Sequence, residues 1–228
     1  MQTFTFSIPA YNEGDSINTL VQECVTIGEY LNINYSILII NDGSTDQTSK
    51  NIDTLSSLNK QISVYTHEEN QGFGTTIREV FQLPTSDWIF FLSGDNQFPA
   101  SNLEIMIKHI DKYDFILGYR IDRKDPIHRK LYSFIYNQII SIIGRKRVHD
   151  VNSIALVKSS LVQKLDIQSK SAFIHAEIYL KALKKNANII EVPIKHNERK
   201  HGEASGGKLK TILFTIFEIV NYLFKNLK

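Results

Sequence analysis

The feature that most restricts the fold of this 228-residue chain is an alternation in its first half, where short apolar runs are separated by stretches of helical pattern. Thr3 to Pro9, Tyr35 to Asn41, Ile62 to Thr66, Trp88 to Ser93 and Asp114 to Gly118 read as strands. A strand followed by a helix needs a crossover to rejoin its sheet, so the strands should be mostly parallel and covered by helices on both faces. The expected class is α/β, an open, mostly parallel sheet flanked by helices. The second half is less regular. It reads as a helix from Pro126 to Ile143, a short strand near Asn152 to Val157, a helix from Ile174 to Lys185 and a strand from Ile189 to Pro193. A glycine-bearing mobile loop, His196 to Lys208, precedes a final helix to Leu227. The expected division is a domain over residues 1–208 and an amphipathic C-terminal helix over 209–228, docked on the domain or lying at a membrane interface.

With 42% hydrophobic and 22% charged residues the chain can bury a core. Its one cysteine, Cys24, cannot form an internal disulfide, and Met1 to Ile8 is too short and uncharged for a signal peptide. The expected location is cytoplasmic. The net charge of +2 hides an asymmetry: residues 1–119 hold 5 Lys/Arg against 15 Asp/Glu, a balance of −10, and residues 120–228 hold 21 against 9, a balance of +12. The second half should meet something anionic, such as a phosphate, a lipid headgroup or nucleic acid.

Open α/β sheets bind ligands outside the carboxyl ends of their strands. The residues there are polar: Pro9-Ala10-Tyr11-Asn12-Glu13 after the first strand, Asn41 to Asp46 after the second and Ser93-Gly94-Asp95-Asn96-Gln97 after the fourth. Ser44 or Thr45 is placed as a helix N-cap, with Asp46 favourable to the helix dipole. Asp42 at a strand tip can accept hydrogen bonds from a nucleobase or ribose. Asp95 and Gln97, two residues apart, are hard oxygen ligands suited to Mg2+ or Mn2+. Asn70-Gln71-Gly72-Phe73-Gly74 permits a tight turn or a close approach of backbone to ligand, and it lacks the spacing of a dinucleotide site.

Together these elements resemble the family-2 glycosyltransferases of the GT-A fold, and most closely the polyprenol-phosphate sugar synthases of the dolichol-phosphate mannose synthase type. The resemblance runs from Phe6 to about Leu209. It is carried by Ser7 to Glu13, Ile40 to Asp46, Asn70 to Gly74, Ser93 to Pro99, Gly118-Tyr119-Arg120 and Glu191-Val192-Pro193. The resemblance implies that Pro9, Tyr11, Glu13, Asp42, Gly72 and Gly74 bind the nucleotide-sugar donor, and that Asp95 and Gln97 hold the metal and diphosphate. Where the family has the first aspartate of its D-x-D-x-Q loop, this chain has Ser93.

The family's D-x-x-S-G-F-R segment stands here as Asp150-Val151-Asn152-Ser153-Ile154-Ala155-Leu156, so Asp150 is the acceptor-side residue. It would serve as general base toward a hydroxyl acceptor, whereas a lipid phosphate arrives largely ionised and needs only positioning. An ion pair with Arg147 or His149 is the structural alternative. Arg120 and Arg123 open a basic run that the resemblance sets against phosphates of donor or acceptor; both are counted with the donor-binding residues, Arg120 helping to offset leaving-group charge, and arginine's forked donors suit that role. Arg199-Lys200-His201-Gly202-Glu203-Ala204-Ser205 resembles the family's R-x-x-G-x-S segment with its serine one residue further on, which implies that Arg199 offsets leaving-group charge and that Ser205 lies near the donor. The expected activity is inverting transfer of a sugar from a UDP- or GDP-sugar to a polyprenol phosphate, with a surface glycan or other hydroxyl as second acceptor. A catalytically impaired nucleotide-sugar-binding protein is the rival from another class. Nucleic acid has no place in this expectation, and oligomeric state is left open. The helix from Pro126, apolar nearly all round, is expected to pack in the core first, or else to form a dimer interface or lie on a membrane. The final helix carries an apolar stripe through Leu213, Ile216, Phe217, Val220, Phe224 and Leu227, and its flanking lysines would suit a peripheral membrane contact.

Overall fold

The computed structural model describes residues 2–14, 16–121, 127–198 and 209–226. Seven strands, β1 (Thr3–Ala10), β2 (Asn34–Asn41), β3 (Ile62–Thr66), β4 (Trp88–Phe91), β5 (Phe115–Arg120), β6 (Ala155–Lys158) and β7 (Ile189–Ile194), form one sheet in the order β3-β2-β1-β4-β6-β5-β7. The helices are α1 (Ile17–Tyr30), α2 (Thr48–Leu58), α3 (Phe73–Gln82), the short α4 (Leu103–Met106), α5 (Ile127–Gly144), the short α6 (Ser159–Val162), α7 (Phe173–Lys184) and α8 (Leu209–Asn226). The sheet is parallel except at β6, which pairs antiparallel with both β4 and β5. This is the open, mostly parallel, helix-flanked sheet that the alternation predicts.

Two hydrophobic layers follow from the period-two alternation of side chains along each strand. Phe4, Phe6 and Ile8 of β1, Trp88 and Phe90 of β4 and Ile116 of β5 face one layer, under α1 and α2. Ile89 and Phe91 of β4 and Phe115 and Leu117 of β5 face the other, under α3 and α7. Such runs, buried on both faces, are why the strands read as nearly continuous apolar segments.

The chain leaves β1 toward β2 and β3, then crosses back to place β4 on the other side of β1. The crevice between the loops after β1 and β4 is therefore the topological switch point, where open sheets bind ligands. Because β6 runs in reverse, Phe91 lies opposite Ala155, and the segment before β6 reaches this same rim. That is why residues 150–154 are a loop rather than the strand expected from Asn152.

The expectation that the helix from Pro126 packs in the core needs correction. Most of α5 is not in the core: Asn137 and Ile140 are buried, while Leu131, Phe134 and Ile142 are more than half exposed. A helix apolar on all sides can bury just one side against a single neighbouring layer, here α7. Likewise α8 packs on α7 through Thr215, Ile219 and Tyr222 and turns the Leu213 to Phe224 stripe outward.

Candidate active site

At the switch point the loops after β1 and β4 are in van der Waals contact. A Cβ added at Gly94 would stand 2.5 Å from the Pro9 carbonyl oxygen, so this position requires glycine. The Ser16 hydroxyl donates to the Gly94 carbonyl at 2.8 Å and pins the two loops together. On the other flank, Asn12 joins the β1 loop to the β2 loop: its amide N–H donates to Ser44 Oγ at 3.1 Å, and its Oδ1 accepts from the Thr45 N–H at 2.9 Å. These bonds correct the expected capping. The helix α2 begins at Thr48 with Gln47 at its N-cap and no side-chain cap. Ser44 and Thr45 instead hold the rim. Asp46 accepts from the Thr48 N–H at 2.9 Å and the Gly14 N–H at 3.2 Å. Burial opposes its charge, but these hydrogen bonds prevail and hold its carboxyl below the usual range.

Asp42 is buried at the tip of β2. Its Oδ1 accepts from the Gln71 N–H at 2.7 Å and its Oδ2 from the Gly72 N–H at 3.0 Å. The β2 tip is thereby fastened to the turn that opens α3, where Gly72 adopts φ 87°. His67 completes the arrangement, with Nδ1 2.7 Å from Asp42 Oδ1 and Nε2 2.8 Å from Glu79 Oε2. Carboxylates only accept, so filling both contacts requires a proton on each ring nitrogen. Burial disfavours that cation, yet the bond to Asp42 and the charge of Glu79 outweigh it and raise the pKa of His67 above its ordinary value.

In the loop after β4, Asp95 Oδ1 accepts from the Gln97 N–H at 3.1 Å, and Asn96 takes φ 53°. Gln97 Nε2 lies 3.4 Å from His196 Nε2, and the Gln97 carbonyl accepts from the Asn197 N–H at 2.8 Å, which ties this loop to the chain leaving β7. The His196 ring packs on Phe98 with centroids 5.2 Å apart. Among the described residues no group of three His, Cys, Asp or Glu side chains is placed to hold a metal. What the loop offers is one carboxylate, Asp95, among neutral oxygen donors, including a buried Asn96 Oδ1 with no hydrogen-bond partner. Mg2+ and Mn2+ fit such a partial site when substrate phosphates and water supply the remaining ligands.

Across the rim, Arg120 at the end of β5 meets Asp150. Its Nε donates to Asp150 Oδ2 at 2.6 Å and its Nη2 to Oδ1 at 2.8 Å, and both side chains are largely buried. Asp150 is thus paired with Arg120 rather than with Arg147 or His149. His149 pairs instead with Glu191 at 2.8 Å. The Arg120 guanidinium also lies 5.7 Å from the centroid of Phe98, linking this pair to the Asp95 loop. Ser153 Oγ is buried nearby in sequence without a hydrogen-bond partner.

The structure therefore brings Pro9, Glu13, Asp42, Gly72, Asp95, Gln97, Arg120 and Asp150 to one rim, with Tyr11 half exposed beside them. Gly74 faces inward, since a Cβ there would meet the Lys170 backbone at 2.3 Å. Arg123, Arg199 and Ser205 lie outside the described residues. Sequence reasoning missed His67, Glu79 and His196. His196 carried a faint signal, three residues beyond Pro193 at a strand end; His67 and Glu79 carried none, because each is one polar residue among many until β3 and α3 bring them together.

Comparison with known proteins defines first the class of fold. Glucosyl-3-phosphoglycerate synthase from Mycobacterium tuberculosis, solved with Mn2+, uridine diphosphate and phosphoglyceric acid, superposes with a TM-score of 0.76 at 12% identity, covering 98% of this chain and 78% of that one. The same enzyme with Mn2+ and UDP-glucose gives 0.75 at 12%, covering 97% and 78%. The fold is that of the GT-A glycosyltransferases. Residues 5–165 match glycosyl transferase family 2, and the chain belongs to that family. Among curated relatives it is 27% identical over 216 residues to an undecaprenyl-phosphate 4-deoxy-4-formamido-L-arabinose transferase of Edwardsiella ictaluri, over 93% of this chain and 65% of that relative's length.

Proposed function

We propose that the protein transfers a sugar from a UDP- or GDP-sugar to a polyprenol phosphate, with inversion at the anomeric carbon, from a cytoplasmic position peripheral to the inner face of the membrane. The observation that carries this reading is the pairing at one rim of two unlike walls. One wall is the Asp95 loop packed against the Pro9 loop at the switch point; the other is the Arg120–Asp150 pair. The first suits a nucleoside diphosphate and the second an anionic acceptor.

The acceptor oxygen attacks the anomeric carbon on the face opposite the diphosphate. The new carbon–oxygen bond forms as the old one breaks, and its electron pair leaves on the diphosphate. A Mg2+ or Mn2+ ion on Asp95, with Gln97 and Asn96 close by, would supply charge neutralisation for that leaving group. Asp42 and the β1 loop would seat the nucleotide, with Arg123, Arg199 and Ser205 proposed on the donor side. Stabilisation of developing charge by fixed groups is the largest catalytic contribution expected.

The Arg120–Asp150 geometry favours a phosphate over a hydroxyl acceptor. Both Asp150 oxygens already accept from Arg120, so taking a proton from an alcohol would cost a charge-assisted hydrogen bond. A phosphate monoester, with its second pKa near about 6, arrives ionised and needs no base. The relative's undecaprenyl-phosphate specificity is consistent with this choice.

The test incubates the protein with labelled nucleotide sugars, Mn2+ and polyprenol phosphate. Label in the lipid extract, lost in Asp95→Ala, is the expected result. Label confined to water-soluble glycan would overturn the lipid acceptor, and binding of the nucleotide sugar without any transfer would overturn the enzyme in favour of a binding protein.

A further inference from the structure

We propose that His67, held from behind by Glu79, is a positioning residue for nucleotide binding, and that it acts through Asp42 on the turn that opens α3. The inference rests on reading Asp42 as part of the donor seat. Three donors converge on that carboxylate: the Gln71 N–H at 2.7 Å and the His67 ring at 2.7 Å on Oδ1, and the Gly72 N–H at 3.0 Å on Oδ2. Both oxygens are gripped, so the plane of the carboxylate cannot turn without breaking a hydrogen bond.

The ring is placed as firmly as the group it serves. The His67 main-chain N–H donates to the Asn41 carbonyl at 2.9 Å, one residue before Asp42. Its Nε2 lies 2.8 Å from Oε2 of Glu79, in the second turn of α3. The Tyr65 ring meets the imidazole edge-on, with centroids 5.5 Å apart. A histidine held at its far nitrogen keeps one orientation and presents the near nitrogen to its target. Asp42, the turn at Gln71 and Gly72, α3, Glu79 and His67 thus form a closed circuit of contacts.

Apolar side chains of similar size would fill this space without giving up the hydration of three ionisable groups. What the ionisable ones add is direction, and they add it beside open space. Gly72 has φ 87°, and a Cβ there would meet nothing within 4 Å, so the turn pinned by Asp42 presents bare backbone outward. On the other side, a Cβ at Gly43 would stand 2.6 Å from the Glu69 carbonyl carbon, so the β2 loop and the chain after His67 already touch. Without the His67 contact the carboxylate gains freedom, and a nucleotide must order both Asp42 and the turn as it binds.

The test is calorimetric titration of UDP and of GDP, each with Mn2+, into the full chain, beside circular dichroism and thermal unfolding. His67→Leu should weaken the tighter nucleotide by about tenfold or more, the loss of one hydrogen bond to a charged group. His67→Asn should recover most of that affinity, because its Nδ2 stands as many bonds from Cβ as the imidazole Nδ1 and can still donate to Asp42. Neither variant reaches Glu79, so both should melt below the parent; a merely structural histidine would lose affinity in step with stability in both. Affinity that tracks the melting temperature, or a folded His67→Leu that binds as the parent does, overturns the proposal. Should His67→Leu fail to fold, Glu79→Leu takes its place. The unanchored ring should then cost about threefold or more in affinity, and Glu79→Gln, whose amide can still bond Nε2, should restore it. No loss in Glu79→Leu is equally fatal. A parent that binds neither nucleotide sinks the donor reading together with this role, whereas His67-dependent binding without sugar transfer sinks the transfer reading and leaves the role standing.

Discussion

His67 and His175 titrate on opposite sides of an ordinary imidazole, and their effects on stability have opposite signs. The pKa of His67 is raised, so its two bridges stabilise fully below about pH 6.5, the unfolded value, and are lost as pH climbs through the higher folded one. His175 is buried against Phe91 and Phe73, and burial pushes it down to about 4. The unfolded chain then binds a proton that the folded one refuses, and stability falls between pH 6.5 and 4 by up to about 3 kcal/mol, which is 2.5 pKa units at 1.36 kcal/mol each. Chemical denaturation across pH should show both limbs, with His175→Phe flattening the acid one and His67→Gln the alkaline one. A flat acid limb in the parent protein would refute the first assignment. The Arg120–Asp150 pair makes a sharper claim. Arg120→Met strands a buried carboxylate and should cost about 3–5 kcal/mol in urea unfolding, most of it recovered by adding Asp150→Leu. No recovery in the double variant would mean that the cost lies elsewhere than in the uncompensated charge.

Elements are where the residue pattern was most and least legible. The parallel half was readable because strands buried on both faces leave apolar runs, and β3 spans the residues expected, Ile62 to Thr66. Strand direction leaves no such mark. Ala155-Leu156-Val157-Lys158 would look the same whichever way it ran, so the reversal of β6 and the loop at Asp150 to Ile154 came from the structure. Periodicity likewise drew the stripe on α8 without saying which way it turns. The rim residues were legible because each follows a strand, whereas the His67 bridge needed the registers of β2 and β3 to set it beside Asp42. Two predictions belong at this scale. Gly94→Ala forces the β4 loop off the Pro9 carbonyl and should lower nucleotide affinity more than stability, measured by calorimetry and thermal unfolding together. Glu218→Ala leaves the N–H groups of Lys170 and Ser171 without their acceptor and should cost about 1–3 kcal/mol, read by urea unfolding.

For the molecule as a whole, the charge division seen in the sequence maps onto the two proposed walls. The acidic half builds β1 to β4 and the proposed donor wall, and the basic half builds Asp150 of the proposed acceptor wall and the two outward helices. Under the proposed function, a donor wall with an acidic surround needs a cation to accept a diphosphate. UDP with Mn2+ at about one hundred times its dissociation constant should add about 2.7 kcal/mol to the parent protein, and UDP without the metal far less. Asp95→Ala should abolish that metal-dependent gain while leaving the ligand-free melting temperature nearly unchanged. Equal stabilisation of both proteins would remove Asp95 from the diphosphate site.

The reversed strand has one more consequence. Since Leu117 lies opposite Ala155, the chain departs from β5 and comes back to β6 at neighbouring points of the sheet, and everything between them is a single excursion with both feet planted side by side. Its buried residues, Ile140, Val148 and Val151, belong to the core, so under the proposed function it is the exposed remainder of this stretch that can vary what receives the sugar while what delivers it stays fixed.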